Sequence, residues 1–137
     1  MIIRYLLTVL CVLVYLYSYS QLKDDFSQPD LSHWTGTTDD FIINGALELQ
    51  LNASGAGESY LVRQNGLFDD STVWEFRVSL DFNPSSSNFV KVYLASDQED
   101  LTGDLNGYFV MIGDTEDEIS LYRQEGSSES YMIDGED

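Results

Sequence analysis

Apolar and polar residues alternate with a period of two along most of the chain after residue 21. Trp74, Phe76, Val78, Leu80 and Phe82 alternate with Glu75, Arg77, Ser79 and Asp81, the pattern of a strand with one buried and one wet face. Leu47, Leu49 and Leu51 alternate with Glu48 and Gln50, and Val90, Val92 and Leu94 with Lys91, Tyr93 and Ala95. Ile119 and Leu121 alternate with Ser120 and Tyr122. Tyr108 to Ile112 is apolar on both faces, which suits a central strand. Turn chemistry separates these runs: Asn44-Gly45, Gly55-Ala56-Gly57, Asn65-Gly66, Asn83 to Ser87, Asn106-Gly107 and Glu125-Gly126. Asn44-Gly45 predicts a two-residue type I′ hairpin between Phe41-Ile42-Ile43 and the leucine strand. No longer window has helical period. Short strands between polar turns predict an all-β fold, an antiparallel β-sandwich or jelly roll.

The first twenty residues follow another rule. Arg4 is their only charge, Tyr5 to Tyr17 is almost wholly apolar, and Ser18-Tyr19-Ser20 places small residues at a cleavage site before Gln21. That is the layout of a secretory signal peptide. A membrane span would need about 20 apolar residues, more than this run offers. The expected organisation is a signal peptide over 1–20 and one β-sandwich domain over 21–137, with no membrane span after cleavage. Ser130 to Ile133 begins another strand-like segment and the chain stops at Asp137, so the expectation is the front part of a longer protein, its sandwich truncated at the C-terminus. Cys11 is the only cysteine and lies inside the apolar run. The exported part therefore expects neither a disulfide nor thiol chemistry.

Charge narrows the partners. The chain carries 6 basic and 24 acidic side chains, a formal charge of −18, and loss of Arg4 takes the exported part to −19. Such a field repels phosphate backbones, which argues against nucleic acid and for cations. So acidic a chain could be disordered. Its 13% aromatic and 43% hydrophobic residues are instead enough for a packed core.

Candidate chemistry is sparse. Glycoside hydrolysis needs two carboxylates about 5 to 10 Å apart across one cleft. Glu75 and Asp81 share a strand face but stand six residues apart, and Glu116, Asp117 and Glu118 are adjacent at an expected turn. No catalytic residue is assigned. His33, the only histidine, reads as a loop residue beside Trp34. Asn52-Ala53-Ser54 has the N-glycosylation pattern, which is common by chance. The loop from Asp97 to Asn106 gathers hard oxygen donors: Asp97, Glu99, Asp100, Asp104 and Asn106 are candidate Ca2+ ligands. The alternative is a solvated acidic loop. Tyr93, Phe109 and Tyr122 fall on faces opposite the aliphatic stripes and form a candidate ligand-binding patch for sugar rings or protein. The alternative is that a second layer covers them.

A longer set of residues carries a family resemblance. Asp24-Asp25-Phe26-Ser27, Trp34-Thr35-Gly36 and Phe41 to Leu49 are followed by Ser59-Tyr60-Leu61 and Trp74-Glu75-Phe76. Pro84 to Asn88, Val92 to Ser96, Leu105 to Tyr108 and Leu121 to Gln124 complete it. Together they resemble the N-terminal concanavalin A-like (laminin G-like) module of large secreted Bacteroidetes proteins, which often carry lamin-tail, immunoglobulin-like or sorting domains further on. The resemblance spans roughly Leu22 to Gly135 and its motifs are structural. It implies a jelly roll, secreted or displayed on the outer-membrane surface, and a non-enzymatic module that binds or adheres to a polysaccharide, another glycan or a surface protein. A glycan hydrolase or lyase of the same fold and a structural spacer are the alternatives.

Overall fold

A computed structural model describes residues 22–64, 71–115 and 117–135. The expected signal peptide, the Asn65-Gly66 turn and Glu116 lie outside the described residues. Within them the chain is all-β and antiparallel, with no α-helix and one 3-10 turn at Thr38–Asp40. No described helix is long and apolar enough to cross a membrane. The strands are β1 (Thr35–Gly36), β2 (Phe41–Ile43), β3 (Leu49–Leu51), β4 (Leu61–Val62), β5 (Phe89–Ser96), β6 (Leu105–Gly113), β7 (Glu118–Gly126) and β8 (Ser128–Ile133). β1 pairs with β4 and β2 with β3 as two ribbons, while β5-β6-β7-β8 form one four-stranded meander.

The front half is held by polar clasps. Asp24 accepts hydrogen bonds from the Trp34 indole N–H at 3.0 Å and from Arg63 at 2.9 Å, tying the segment before β1 to the end of β4. The Asn44 turn closes the β2–β3 hairpin, but not as a two-residue turn. The Asn44 N–H donates to the Glu48 carbonyl at 2.9 Å, and the Leu47 N–H to the Asn44 carbonyl at 3.0 Å. The Asn44 side chain also accepts from the N–H groups of Ala46 and Glu48. The result is a three-residue loop in which Leu47, at φ +62°, takes the left-handed position that the sequence reading gave to the Asn-Gly pair. The leucine strand is correspondingly shorter and begins at Leu49.

The stretch from Trp74 to Phe82, expected as a strand with one buried face, is not one. No strand is assigned there, and Trp74, Phe76, Val78 and Phe82 are 37 to 47% exposed. Ser85 and Asn88 form an isolated antiparallel bridge, and a Cβ on Gly113 would lie 2.7 Å from the Pro84 Cβ and 3.6 Å from the Leu80 Cδ1. Gly113 belongs to β6 and faces Phe89 of β5, so Pro84 sits over the sheet rather than beside its edge. Alternation permits a strand, but a ladder defines one, and no strand pairing among the described residues includes this stretch.

The meander is built from local hairpins. Glu125 faces Ser128 across Gly126 and Ser127, and Gly126 has φ +61°, the glycine-first pattern of a type II′ turn. β6 lies inside the sheet, as its two apolar faces predict. Asn106-Gly107, expected as a turn, instead falls within β6. Register shifts between Tyr93 and Ala95, a bulge that brings the Ala95 carbonyl to 2.3 Å from where a Gly107 Cβ would stand. The glycine serves a close approach of two strands, not a reversal.

Candidate functional site

The sheet has two unlike faces, and their register is fixed by pairing. On one face Tyr93, Phe109, Tyr122 and Tyr131 stand side by side across all four strands. Their ring centroids are 5.1, 5.1 and 4.4 Å apart. Lys91 on edge strand β5 makes an ion pair with Glu129 on the opposite edge β8. Strands lie about 4.8 Å apart, so a flat sheet would hold those edges about 14 Å apart. The pair therefore shows that the sheet curls with this face inward. The Lys91 ammonium sits 4.6 Å from the Phe109 ring centroid and closes the concavity.

The structure thus brings Tyr93, Phe109 and Tyr122 together on one face, as the sequence reading did, but buries the centre of the patch. Phe109 has no exposed surface and Tyr122 is 8% exposed. They form the core with Met111 rather than an open stacking platform. Polar groups within this core are matched. The Tyr93 hydroxyl donates to Gln124 Oε1 at 2.7 Å, and Gln124 Nε2 donates to the Gly126 carbonyl at 2.9 Å and the Gly103 carbonyl at 3.4 Å. Burial, with Glu129 and Glu58 nearby, pushes the Tyr93 hydroxyl up to about 12. Burial followed by Tyr131 raises Tyr122 as well. Tyr131, Lys91, Glu129 and Gln124 were not singled out from sequence. The alternation that places Lys91, Tyr93, Phe109, Tyr122 and Gln124 on one side was the signal available.

The other face carries the aliphatic stripes. Val90, Ile112 and Ile119 make one cross-strand row, and Val92, Val110, Leu121 and Ile133 a second. These residues are half-buried or exposed, Ile119 at 65% and Ile133 at 63%. Tyr108 and Arg123 pair in the next row. Beyond it a shallow cavity of about 390 Å³ is lined by Tyr108, Arg123, Glu125, Asn106 and Asp97 among others.

The acidic loop between β5 and β6 does not gather its carboxylates. Asp97 Oδ1 accepts from the Asn106 backbone N–H at 2.7 Å and Oδ2 from the Asn106 side-chain amide at 2.8 Å. Asp100 Oδ1 accepts from the Thr102 N–H and hydroxyl, while Glu99 accepts from Gln64. Among the described residues no three acidic, histidine or cysteine side chains converge to hold a metal ion. Of the candidate Ca2+ ligands Asp97, Glu99, Asp100, Asp104 and Asn106, Asp97 and Asn106 are thus bonded to each other, Asp100 to Thr102 and Glu99 to Gln64. The Asp97 and Asp100 bonds close local turns. Hydrogen bonds from Asn106 hold the Asp97 carboxyl below its ordinary value, and those from Thr102 do the same for Asp100. His33 is exposed in a turn. No family model matches the chain, and no curated protein or solved structure matches it either.

Proposed function

We propose that this chain is a non-enzymatic binding or adhesion module of an exported protein, displayed at or beyond the outer membrane, with a glycan or a surface protein as partner. A concanavalin A-like sandwich is the fold that this reading expects of the whole domain. The observation that carries it is the open aliphatic face of the meander. Monomeric proteins seldom leave contiguous apolar surface in water unless it meets something, and here one row of aliphatic side chains crosses three strands and a second crosses all four, while the aromatic face supplies the core. Catalysis has less support. Of the acids at the cavity, Asp97 is held ionised by Asn106 and Glu125 is paired with Arg123. A general acid needs a raised pKa instead. The test is retention of the purified exported protein on immobilised polysaccharides and envelope proteins. Binding that is lost in an Ile119→Ser, Ile133→Ser double variant supports the reading. Undiminished binding by that variant would remove the face from it. Turnover of laminarin or agar, abolished by changing one acid, would replace it with a hydrolase.

A further inference from the structure

The outward face changes character toward the β5–β6 loop. Beyond the aliphatic rows the register gives a row of Ala95, Tyr108, Arg123 and Ser130, and then one of Asn106, Glu125 and Ser128. Asp97 joins the second row, its N–H bonded to the Asn106 carbonyl and its carboxylate to the Asn106 side chain. The shallow cavity of about 390 Å³ lies here, lined by Tyr108 together with Asp97, Asn106, Arg123 and Glu125. We infer that this cavity holds an uncharged sugar ring of a glycan chain, stacked on Tyr108 and bonded at its hydroxyls by Asp97, Glu125 and Arg123. The inference rests on the binding-module reading and names the class of ligand and the place that holds it.

Each part of the cavity suits that ligand. The bulge in β5 carries the pairing from Tyr93 with Phe109 to Ala95 with Tyr108, so the cross-strand neighbour of the Tyr108 ring on that side is only a methyl group. Room is left beside the ring, which is 41% exposed. A sugar ring presents C–H groups on its faces and hydroxyls around its rim, and a tyrosine among polar groups offers the matching apolar surface. The volume falls within the range of small-ligand sites, about 300 to 1,000 Å³. Asp97 is already oriented, since Asn106 donates to its two oxygens at 2.7 and 2.8 Å. Each carboxylate oxygen keeps a second lone pair for a sugar hydroxyl. Arg123 and Glu125 are paired in the open, where an ion pair is worth little, so both can turn to a ligand. Charge selects a neutral sugar. Two carboxylates, Asp97 and Glu125, meet one guanidinium in the cavity, and the chain carries −18, which repels uronate and sulfated chains.

The probes are neutral oligosaccharides cut from laminarin, mannan and xylan, with an alginate oligomer as the charged control. Calorimetric titration of the exported protein is expected to show binding of at least one neutral probe and much weaker binding of the uronate chain. Tyr108→Ala should weaken the neutral probe by about tenfold, while Tyr108→Phe, which keeps the ring, should retain it. Glu125→Gln should weaken it severalfold. Leu51→Ala, at an exposed position on the separate β2–β3 hairpin, should leave binding unchanged. Equal losses from Tyr108→Ala and Leu51→Ala, undiminished binding by both Tyr108→Ala and Glu125→Gln, or tighter binding of the alginate oligomer would overturn the inference. Failure of every neutral probe would overturn it too, and retention on envelope proteins would in that case leave the binding-module reading in place.

Discussion

The two faces of the meander share one backbone and one register yet reverse the order that hydropathy alone would give. The inward face holds Lys91, Ser120, Gln124 and Glu129 among its aromatics, and the outward face is largely valine, isoleucine and leucine. Size and satisfaction explain the inward choice. Aromatic rings bury more area per residue than aliphatic side chains and gain further from edge and offset contacts. The polar residues beside them cost little because each finds partners, and no buried side-chain polar atom among the described residues lacks one. An aliphatic stripe guarantees only that a face is apolar. What lies over that face decides whether it is core.

The largest test of this contrast compares neighbours on β6. Phe109→Ala, at a position with no exposed surface, is expected to cost about 3 to 5 kcal/mol in urea unfolding. Val110→Ala, one residue on and facing outward, should cost about 1 kcal/mol or less. Similar costs at both positions would mean that the outward face is covered in the folded protein. Next in size is Gln124→Leu, which strands the Tyr93 hydroxyl and removes the donors to the Gly126 and Gly103 carbonyls. Its expected cost is about 1 to 3 kcal/mol. A double-mutant cycle with Tyr93→Phe should show coupling, since both changes act on one hydrogen bond. Additive losses would break the matched-core account.

The same core should be legible in alkaline unfolding. Tyr93 ionises at 10.0 when free and at about 12 when folded, because burial and two nearby carboxylates favour the neutral form. Its contribution to stability is complete below pH 10 and is lost as the pH climbs from there to about 12. Tyr122 is shifted in the same direction. Melting temperature should therefore fall over this window, and Tyr93→Phe should make the fall shallower. An unchanged profile in Tyr93→Phe would show that the loss arises elsewhere.

Much of the meander was legible because its information is local. β5, β6 and β7 follow alternating runs, β6 was placed inside the sheet by its two apolar faces, and Glu125-Gly126 marks the β7–β8 turn. What escaped depended on distant partners. Trp74 to Phe82 alternates as cleanly as β7, but it takes part in no strand pairing among the described residues. Asn106-Gly107 is good turn chemistry, yet the bulge opposite it, at Tyr93 to Ala95, decides its role. Alternation groups Tyr93, Phe109 and Tyr122 on one face but leaves open whether the face is covered, since nothing local to Tyr122 reveals that Lys91 and Glu129 pair across it. In the acidic loop the spacing shows which oxygens are present and not which of them are hydrogen-bonded.

The smallest expected effect lies at Ile119 and gains its force from Ser120 beside it. By hydropathy Ile119 belongs inside and Ser120 outside; the structure has Ile119 at 65% exposure and Ser120 at 2%. The Ser120 hydroxyl donates to Glu118 at 2.7 Å and accepts the Gly135 N–H at 2.8 Å, so it pins the segment after β8 onto β7. Ser120→Ala removes only the hydroxyl and loses both bonds, leaving the Gly135 N–H without its acceptor, and the expected cost is about 1 to 3 kcal/mol. Ile119→Thr keeps a β-branched side chain suited to a strand and exchanges an exposed ethyl group for a hydroxyl. Its expected effect is within about 0.5 kcal/mol of zero. Thermal unfolding of the two single variants separates the alternatives. If Ile119→Thr proved the more damaging, the faces would be assigned the wrong way round, and the aromatic row rather than the aliphatic rows would be the surface presented to a partner.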